Sequence, residues 1–78
     1  MTKTVFKLKD LSKQLKNRQE ALAKITQFGT RYTMTGDRDN YVYIDANSIS
    51  DLVSPTLYRE LSANCTQLVV NYTNLNRF

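Results

Sequence analysis

Histidine and tryptophan are absent from the 78 residues, and cysteine and proline occur once each. Histidine is the one side chain that titrates unperturbed near neutrality and the commonest metal ligand, so its absence removes Ser-His, Cys-His and His-metal chemistry. Cys65 has no second cysteine to pair with, which excludes an internal disulfide and a thiolate zinc site. We therefore expect a protein that is not an enzyme and that holds neither a metal ion nor a cofactor.

Glycine and long apolar runs are also scarce. Neither Gly29 nor Gly36 is followed by Lys-Ser or Lys-Thr, so no phosphate-binding loop is indicated. The longest aliphatic run is residues 68–70, far below the roughly 18 residues that a membrane helix needs, and no signal-peptide-like stretch opens the sequence. These features and the single cysteine favour a cytoplasmic protein without membrane contact.

What is present describes one small folded domain. Hydrophobic residues make up 41% of the chain and charged residues 23%, and no repeat or linker interrupts them. The net charge of +4 is unevenly placed, since residues 1–29 carry +5 and residues 30–78 carry −1. A local basic region of this kind is a candidate binding surface. Residues 73–78 are expected to form a loose tail.

The first third of the chain predicts a strand followed by a long helix. Residues 4–8 alternate in polarity and read as a strand. Asp10 can cap a helix that Gly29 ends, with an apolar stripe at Leu11, Leu15, Leu22 and Ile25. Arg18 falls inside that stripe, so it is either a residue at the edge of the core or a charge directed at a partner.

The remainder predicts a hairpin, two short helices and a final strand. Residues 30–35 and 41–45 alternate with period two around a polar turn, and the aliphatic side of the second strand is expected to face inward. Asn47 or Ser48 can start a helix over 48–53, and Ser54 with Pro55 a second over 55–63. Residues 67–72 read as the last strand.

Strand, helix, hairpin, helix and strand together give an α+β domain of βαββαβ order. This is the ferredoxin-like, split-βαβ arrangement of an antiparallel sheet with helices on one face, which leaves the other sheet face open. A rival interpretation makes residues 3–28 one long helix that dimerises beside a small hairpin sheet, because several of its apolar residues also fit heptad positions.

Two binding functions compete. For single-stranded RNA or DNA, bases can stack on aromatic side chains while lysines meet phosphates. The chain resembles parts of the RNA-recognition-motif family at Tyr41-Val42-Tyr43-Ile44 and, earlier, at Val5-Phe6 and Asp10-Leu11. Asp39-Asn40 stand where the third-strand motif of that family begins with a basic residue and a glycine. The resemblance implies stacking on Phe6, Tyr41 and Tyr43. The full candidate set is Phe6, Tyr32, Tyr41, Tyr43, Lys9, Lys13, Lys16 and Lys24.

Binding to a larger protein is the leading hypothesis. Tyrosine and arginine are the usual anchors of protein interfaces, which makes Tyr41, Tyr43, Arg38 and Arg18 the candidate contacts. Acidic residues around the tyrosines would repel phosphate, and the lysines lie on a helix rather than beside the tyrosines. By analogy of size, the chain resembles small phage-encoded or mobile-element inhibitors, and self-association into a homodimer is a further expectation.

Overall fold

The computed structural model of the chain describes residues 2–36 and 41–77. The strands are β1 (Thr2–Lys7), β2 (Arg31–Met34), β3 (Tyr43–Asp45), β4 (Gln67–Asn71) and β5 (Leu75–Arg77). The helices are α1 (Leu8–Gln14), α2 (Gln19–Phe28), α3 (Ala46–Leu52) and α4 (Pro55–Asn64). A single 3-10 turn, Tyr72–Asn74, separates β4 from β5.

The strands form one antiparallel sheet in the order β4-β1-β3-β2-β5. The predicted α+β class is therefore confirmed, as is the antiparallel pairing of the hairpin strands β2 and β3. The element order differs from a simple βαββαβ chain, because four helices stand where the arrangement needs two and a fifth strand is added beyond β2.

The helical region before β2 consists of two helices, where one continuous helix was predicted. Helix α1 ends before Leu15, and α2 begins after Arg18. In an unbroken helix Arg18 would lie inside the apolar stripe, where burial of its charge is costly. The break instead leaves the Arg18 side chain 55% exposed and 3.4 Å from Glu60. The rival single helix over residues 3–28 is wrong, since residues 2–7 form β1.

The start of α1 also differs from the prediction, whereas the end of α2 agrees with it. The helix begins at Leu8, so Asp10 lies in its first turn and caps no helix; its carboxylate accepts the backbone N–H of Thr66 at 3.2 Å. Gly29 ends α2 as predicted. A Cβ on Gly29 would lie 2.5 Å from the carbonyl oxygen of Ile25, so close approach of the backbone requires glycine there.

Side-chain caps begin both helices between β3 and β4. Asp45 starts α3 by accepting the N–H of Asn47 at 3.0 Å, so the predicted capping by Asn47 or Ser48 is wrong. Ser54 starts α4 by accepting the N–H of Leu57 at 3.2 Å, as predicted. Each cap satisfies a backbone donor that the first helical turn leaves unpaired.

One hydrophobic cluster joins all four helices to the sheet. Phe6 of β1 and Ile44 of β3 stand opposite each other in the strand register, so both point to the same face. From the helices the cluster takes, among others, Leu11, Ile25, Ile49, Leu57 and Leu61. The helices therefore pack on one face of the sheet, and the aliphatic side of β3 faces them as predicted.

The helix-free face, which was expected to remain open, is partly covered. Val5, Tyr43 and Asp45 point to that face and are 0%, 4% and 7% exposed. The ring of Tyr72 contributes to the cover, because its centroid lies 5.3 Å from the ammonium of Lys3 on the same face. The chain after β4 therefore crosses the sheet instead of leaving it as a loose tail.

The short link between β4 and β5 requires a strongly curled sheet. These strands lie at opposite edges, which in a flat sheet would stand about 19 Å apart, at about 4.8 Å per strand. The link from Asn71 to Leu75 can span at most about 14 Å. The two edges must therefore approach each other across the helix-free face, and β5 is held to β2 with Leu75 opposite Met34.

Among the described helices, none is long and apolar enough to cross a membrane.

Candidate functional site

An open cleft lies where β1 passes into α1, next to the start of β3. Its volume is about 400 Å³, and it is lined by Lys7, Leu8, Lys9, Ser12, Tyr41 and Val42. The backbone N–H of Leu8 donates to the carbonyl of Val42 at 2.8 Å, which fixes the two walls against each other. We call this surface the Lys7–Tyr41 cleft.

A cation–π contact dominates the cleft. The ammonium of Lys7 lies 3.9 Å from the centroid of the Tyr41 ring, and Tyr41 is 36% exposed. Such a contact attracts the cation to the ring face and orients both groups without neutralising the charge. Both the positive charge and part of the aromatic ring therefore remain accessible to a ligand.

The positive charge continues from the cleft along α1. Lys9 and Lys13 are exposed and four residues apart on α1, so they extend the basic surface on one side of the helix, and Lys16 is exposed in the turn that follows it. In residues 2–36 and 41–77 the ion pairs are Lys3–Asp45 and Arg18–Glu60. The lysines of the cleft and of α1 thus have no carboxylate partner in the described part of the chain.

A second group of lysine and tyrosine side chains lies on the helix-free face and is internally satisfied. The ammonium of Lys3 donates to the Asp45 carboxylate at 2.6 Å and lies 5.3 Å from the ring centroids of both Tyr32 and Tyr72. The hydrogen bond to Asp45 raises the pKa of Lys3, against a smaller opposite effect of burial. These contacts hold the curled sheet together and leave little charge free for a ligand.

Two of the three aromatic side chains proposed to stack on nucleic-acid bases are buried. Phe6 is fully enclosed in the core and meets the Tyr58 ring edge-on at 6.2 Å between centroids. Tyr43 is 4% exposed. Neither ring can receive a base, and Tyr43 cannot serve as a protein contact. Only Tyr41 of the three is exposed, and Tyr32 is partly buried beside Lys3.

The remaining predicted residues are dispersed. Arg18 lies in a separate polar hollow between the α1–α2 junction and α4, with Glu60. Lys24 is exposed on α2, outside the Lys7–Tyr41 cleft. Arg38 falls on the hairpin turn, outside the described residues. Of the proposed protein contacts, the described structure therefore places only Tyr41 at the cleft.

Sequence reasoning missed Lys7 and Tyr72. Lys7 stands opposite Tyr43 in the β1–β3 register, which brings it within reach of Tyr41 on the same face. That register brings together residues far apart in the sequence, and no local sequence pattern predicts the register. Tyr72 was predicted as the end of the last strand, but it begins the 3-10 turn after β4, and its contact with Lys3 depends on the curl of the sheet.

The described residues also show how far the chain meets the needs of a metal site and of a reactive thiol. Among the described residues, no group of three or more His, Cys, Asp or Glu side chains could hold a metal ion. Burial raises the pKa of the Cys65 thiol, and the nearby Asp10 charge acts in the same direction, so the nucleophilic thiolate is disfavoured. What the cleft provides is an exposed aromatic ring beside lysines that form no ion pair within residues 2–36 and 41–77.

No protein-family model matches the chain, and comparison with curated proteins and with solved structures finds no significant match either.

Proposed function

We propose that the chain is a non-enzymatic binding domain that engages a larger protein through the Lys7–Tyr41 cleft. The observation that carries the proposal is the exposed Tyr41 ring beside the ammonium of Lys7, with Lys9 on the same cleft and no carboxylate among the described residues that line it. We infer that the partner presents acidic side chains around an apolar one.

The chemistry of the cleft supports this partner. Tyr41, Leu8 and Val42 offer apolar surface that is favourable to cover, and tyrosine is a common energetic anchor of protein interfaces. The lysines of the cleft and of α1, which form no ion pair with a described carboxylate, would attract an acidic surface over a distance and orient it on approach. Their contribution would appear mainly in the association rate and in its dependence on salt.

A protein partner is favoured over single-stranded nucleic acid because the aromatic platform is incomplete. Stacking of successive bases needs several exposed rings along the path of the strand. With Phe6 and Tyr43 buried and Tyr32 partly buried, Tyr41 alone is exposed among the four rings in the nucleic-acid hypothesis. Tyr72 is also exposed, at 46%, but its ring lies beside Lys3 and does not line the cleft. The one exposed ring of the cleft suits one side chain of a protein better than a row of bases.

The fold is a compact scaffold that can present such a binding surface. We infer that β4, β1, β3 and β2, with α1–α2 between β1 and β2 and α3–α4 between β3 and β4, form a ferredoxin-like split-βαβ unit to which β5 is added. We further propose that the domain acts in a reducing cytoplasm, where its single buried thiol stays reduced, and that it modulates its partner by covering a site on it.

Affinity capture followed by quantitative binding tests the proposal. The partner recovered with the wild-type chain should bind Lys7→Ala and Tyr41→Ala at least about tenfold more weakly, the loss of about 1.4 kcal/mol that a modest hot spot gives. Lys24→Ala and Phe28→Ala are matched controls, because Lys24 is an exposed lysine and Phe28 an aromatic residue 65% exposed, both outside the cleft.

Two results would contradict the proposal. Equal affinity of the cleft variants and the controls would remove the cleft from the interface. Binding of mixed-sequence oligonucleotides at low salt, with a steep loss as salt rises and with the same dependence on Lys7 and Tyr41, would establish the nucleic-acid function instead.

A further inference from the structure

The two edges of the sheet are protected to different degrees. Strand β5 is three residues long and carries Arg77, whereas β4 is five residues long and contains only uncharged residues, Gln67–Asn71. Its pairing with β1 is continuous from Thr2 to Phe6, so no bulge twists the edge away. Native edge strands usually carry a charge, a proline or a bulge that prevents pairing with another strand. Strand β4 has none of these.

Strand β4 is also exposed on the face that carries the helices. Gln67, Val69 and Asn71 point to the face that carries the helices, yet all three are exposed, and Val69 is 68% exposed. The helix layer therefore does not cover β4. Within residues 2–36 and 41–77, no further strand lies beyond this edge. An added strand would find backbone donors and acceptors together with an accessible valine.

We propose that this edge pairs with β4 of a second copy of the chain, antiparallel and centred on Val69. In that register Gln67 lies opposite Asn71 of the second copy, Leu68 lies opposite Val70, and Val69 lies opposite Val69. Polar residues thus meet polar residues and aliphatic residues meet aliphatic ones at all five positions. A two-fold axis requires this kind of self-complementarity, because the same surface is used on both copies.

The resulting dimer has one continuous sheet of ten strands. The two-fold axis runs perpendicular to the sheet, so the helices of both copies lie on one face and the helix-free faces of both copies lie on the other. The Lys7–Tyr41 cleft is at the Lys7 end of β1, and antiparallel pairing places the two clefts at opposite ends of the combined sheet. The dimer is independent of the proposed function, but it would present two binding sites to a partner.

Cysteine cross-linking tests the register directly, in a Cys65→Ala background whose folding is first confirmed by circular dichroism. Val69→Cys should form an intermolecular disulfide under mild oxidation, because directly paired Cα atoms lie about 4.5–5.5 Å apart. Asn71→Cys alone should not, since its two copies would be more than about 13 Å apart along the strands. A mixture of Gln67→Cys and Asn71→Cys chains should form the heterodimer.

Sedimentation of the unmodified chain gives the second test. The wild type should approach twice the monomer mass as its concentration rises toward about 1 mM. Val69→Lys should remain monomeric, because it sets two like charges against each other, while Ala23→Lys, which adds the same charge on exposed α2, should behave as wild type. A wild type that stays monomeric throughout, equal cross-linking of Val69→Cys and Asn71→Cys, or a dimer that Val69→Lys leaves intact would overturn the proposal.

Discussion

The ammonium of Lys3 lies 2.6 Å from one carboxylate oxygen of Asp45, and the other oxygen accepts the backbone N–H of Asn47 at 3.0 Å. One carboxylate thus ties the first strand to the third and begins the helix that follows. Both side chains of the ion pair are largely buried, at 14% and 11% exposure. Removal of either group leaves the other charge without its partner in a poorly solvated place.

Substitution of Asp45 should separate its two roles. Asp45→Ala loses the ion pair and the cap, so we expect a loss of roughly 2–4 kcal/mol in the free energy of unfolding. Asp45→Asn should lose less, because asparagine is an effective helix cap. Asp51→Asn, on the exposed side of α3, is the control and should change stability by less than about 0.5 kcal/mol. Urea denaturation measures all three, and equal losses for Asp45→Asn and Asp45→Ala would show that the cap contributes nothing.

The ion pair should also give the stability a dependence on alkaline pH. Because the bond to Asp45 raises the pKa of Lys3 above 10.5, the folded state retains this proton more tightly than the unfolded chain. The stabilisation is fully present below 10.5 and is lost as pH rises through the higher pKa of the folded state. The difference in unfolding free energy between wild type and Lys3→Met should therefore shrink over the alkaline range that begins at pH 10.5. A difference that stays constant over this range would contradict the assignment.

Truncation of Phe6 should lower the free energy of unfolding much more than truncation of Tyr41. Phe6→Ala removes a fully buried ring that contacts Tyr58, so we expect a loss of about 3–5 kcal/mol. Tyr41→Ala removes a partly exposed ring at the cleft and should cost less than about 1 kcal/mol. Thermal and urea unfolding provide the measurement. A large loss for Tyr41→Ala would mean that its ring supports the fold, and the binding test would then need Tyr41→Phe.

The Cys65 thiol should react slowly in the folded protein. It is 8% exposed, and burial raises its pKa, so both access and the thiolate fraction are low. Labelling with a thiol-specific disulfide reagent near pH 8 should proceed at least about tenfold faster after urea unfolding than before it. Equal rates in the two states would mean that the junction between α4 and β4 opens readily.

Local patterns in the sequence predicted most of the elements. Gly29, Ser54 and Pro55 mark helix boundaries through the backbone geometry that each favours, and alternation marks the strands. A charge in the apolar stripe indicates the break at Arg18. The apolar residues on either side of it keep helical spacing, however, and therefore predict one continuous helix.

The candidate site was less accessible to sequence reasoning because it depends on register. Tyr41 and Tyr43 share one side of the strand by alternation, yet they are 36% and 4% exposed, a difference that depends on what covers each of them in the folded chain. Lys7 reaches Tyr41 only because β1 lies beside β3. Residues 75–77 lack the length and pattern of a typical strand, and they become one by pairing with β2.

The position of β1 between β4 and β3 affects the order in which the strands can pair. Val5 pairs with Asp45 on one side and with Leu68 on the other, 40 and 63 positions further along the chain. During synthesis the first strand must therefore wait, unpaired, until most of the chain has been made. Contacts of such long sequence separation slow folding. The residues of β1 are thus translated before both strands that flank them, and during that interval they are accessible to chaperones and proteases.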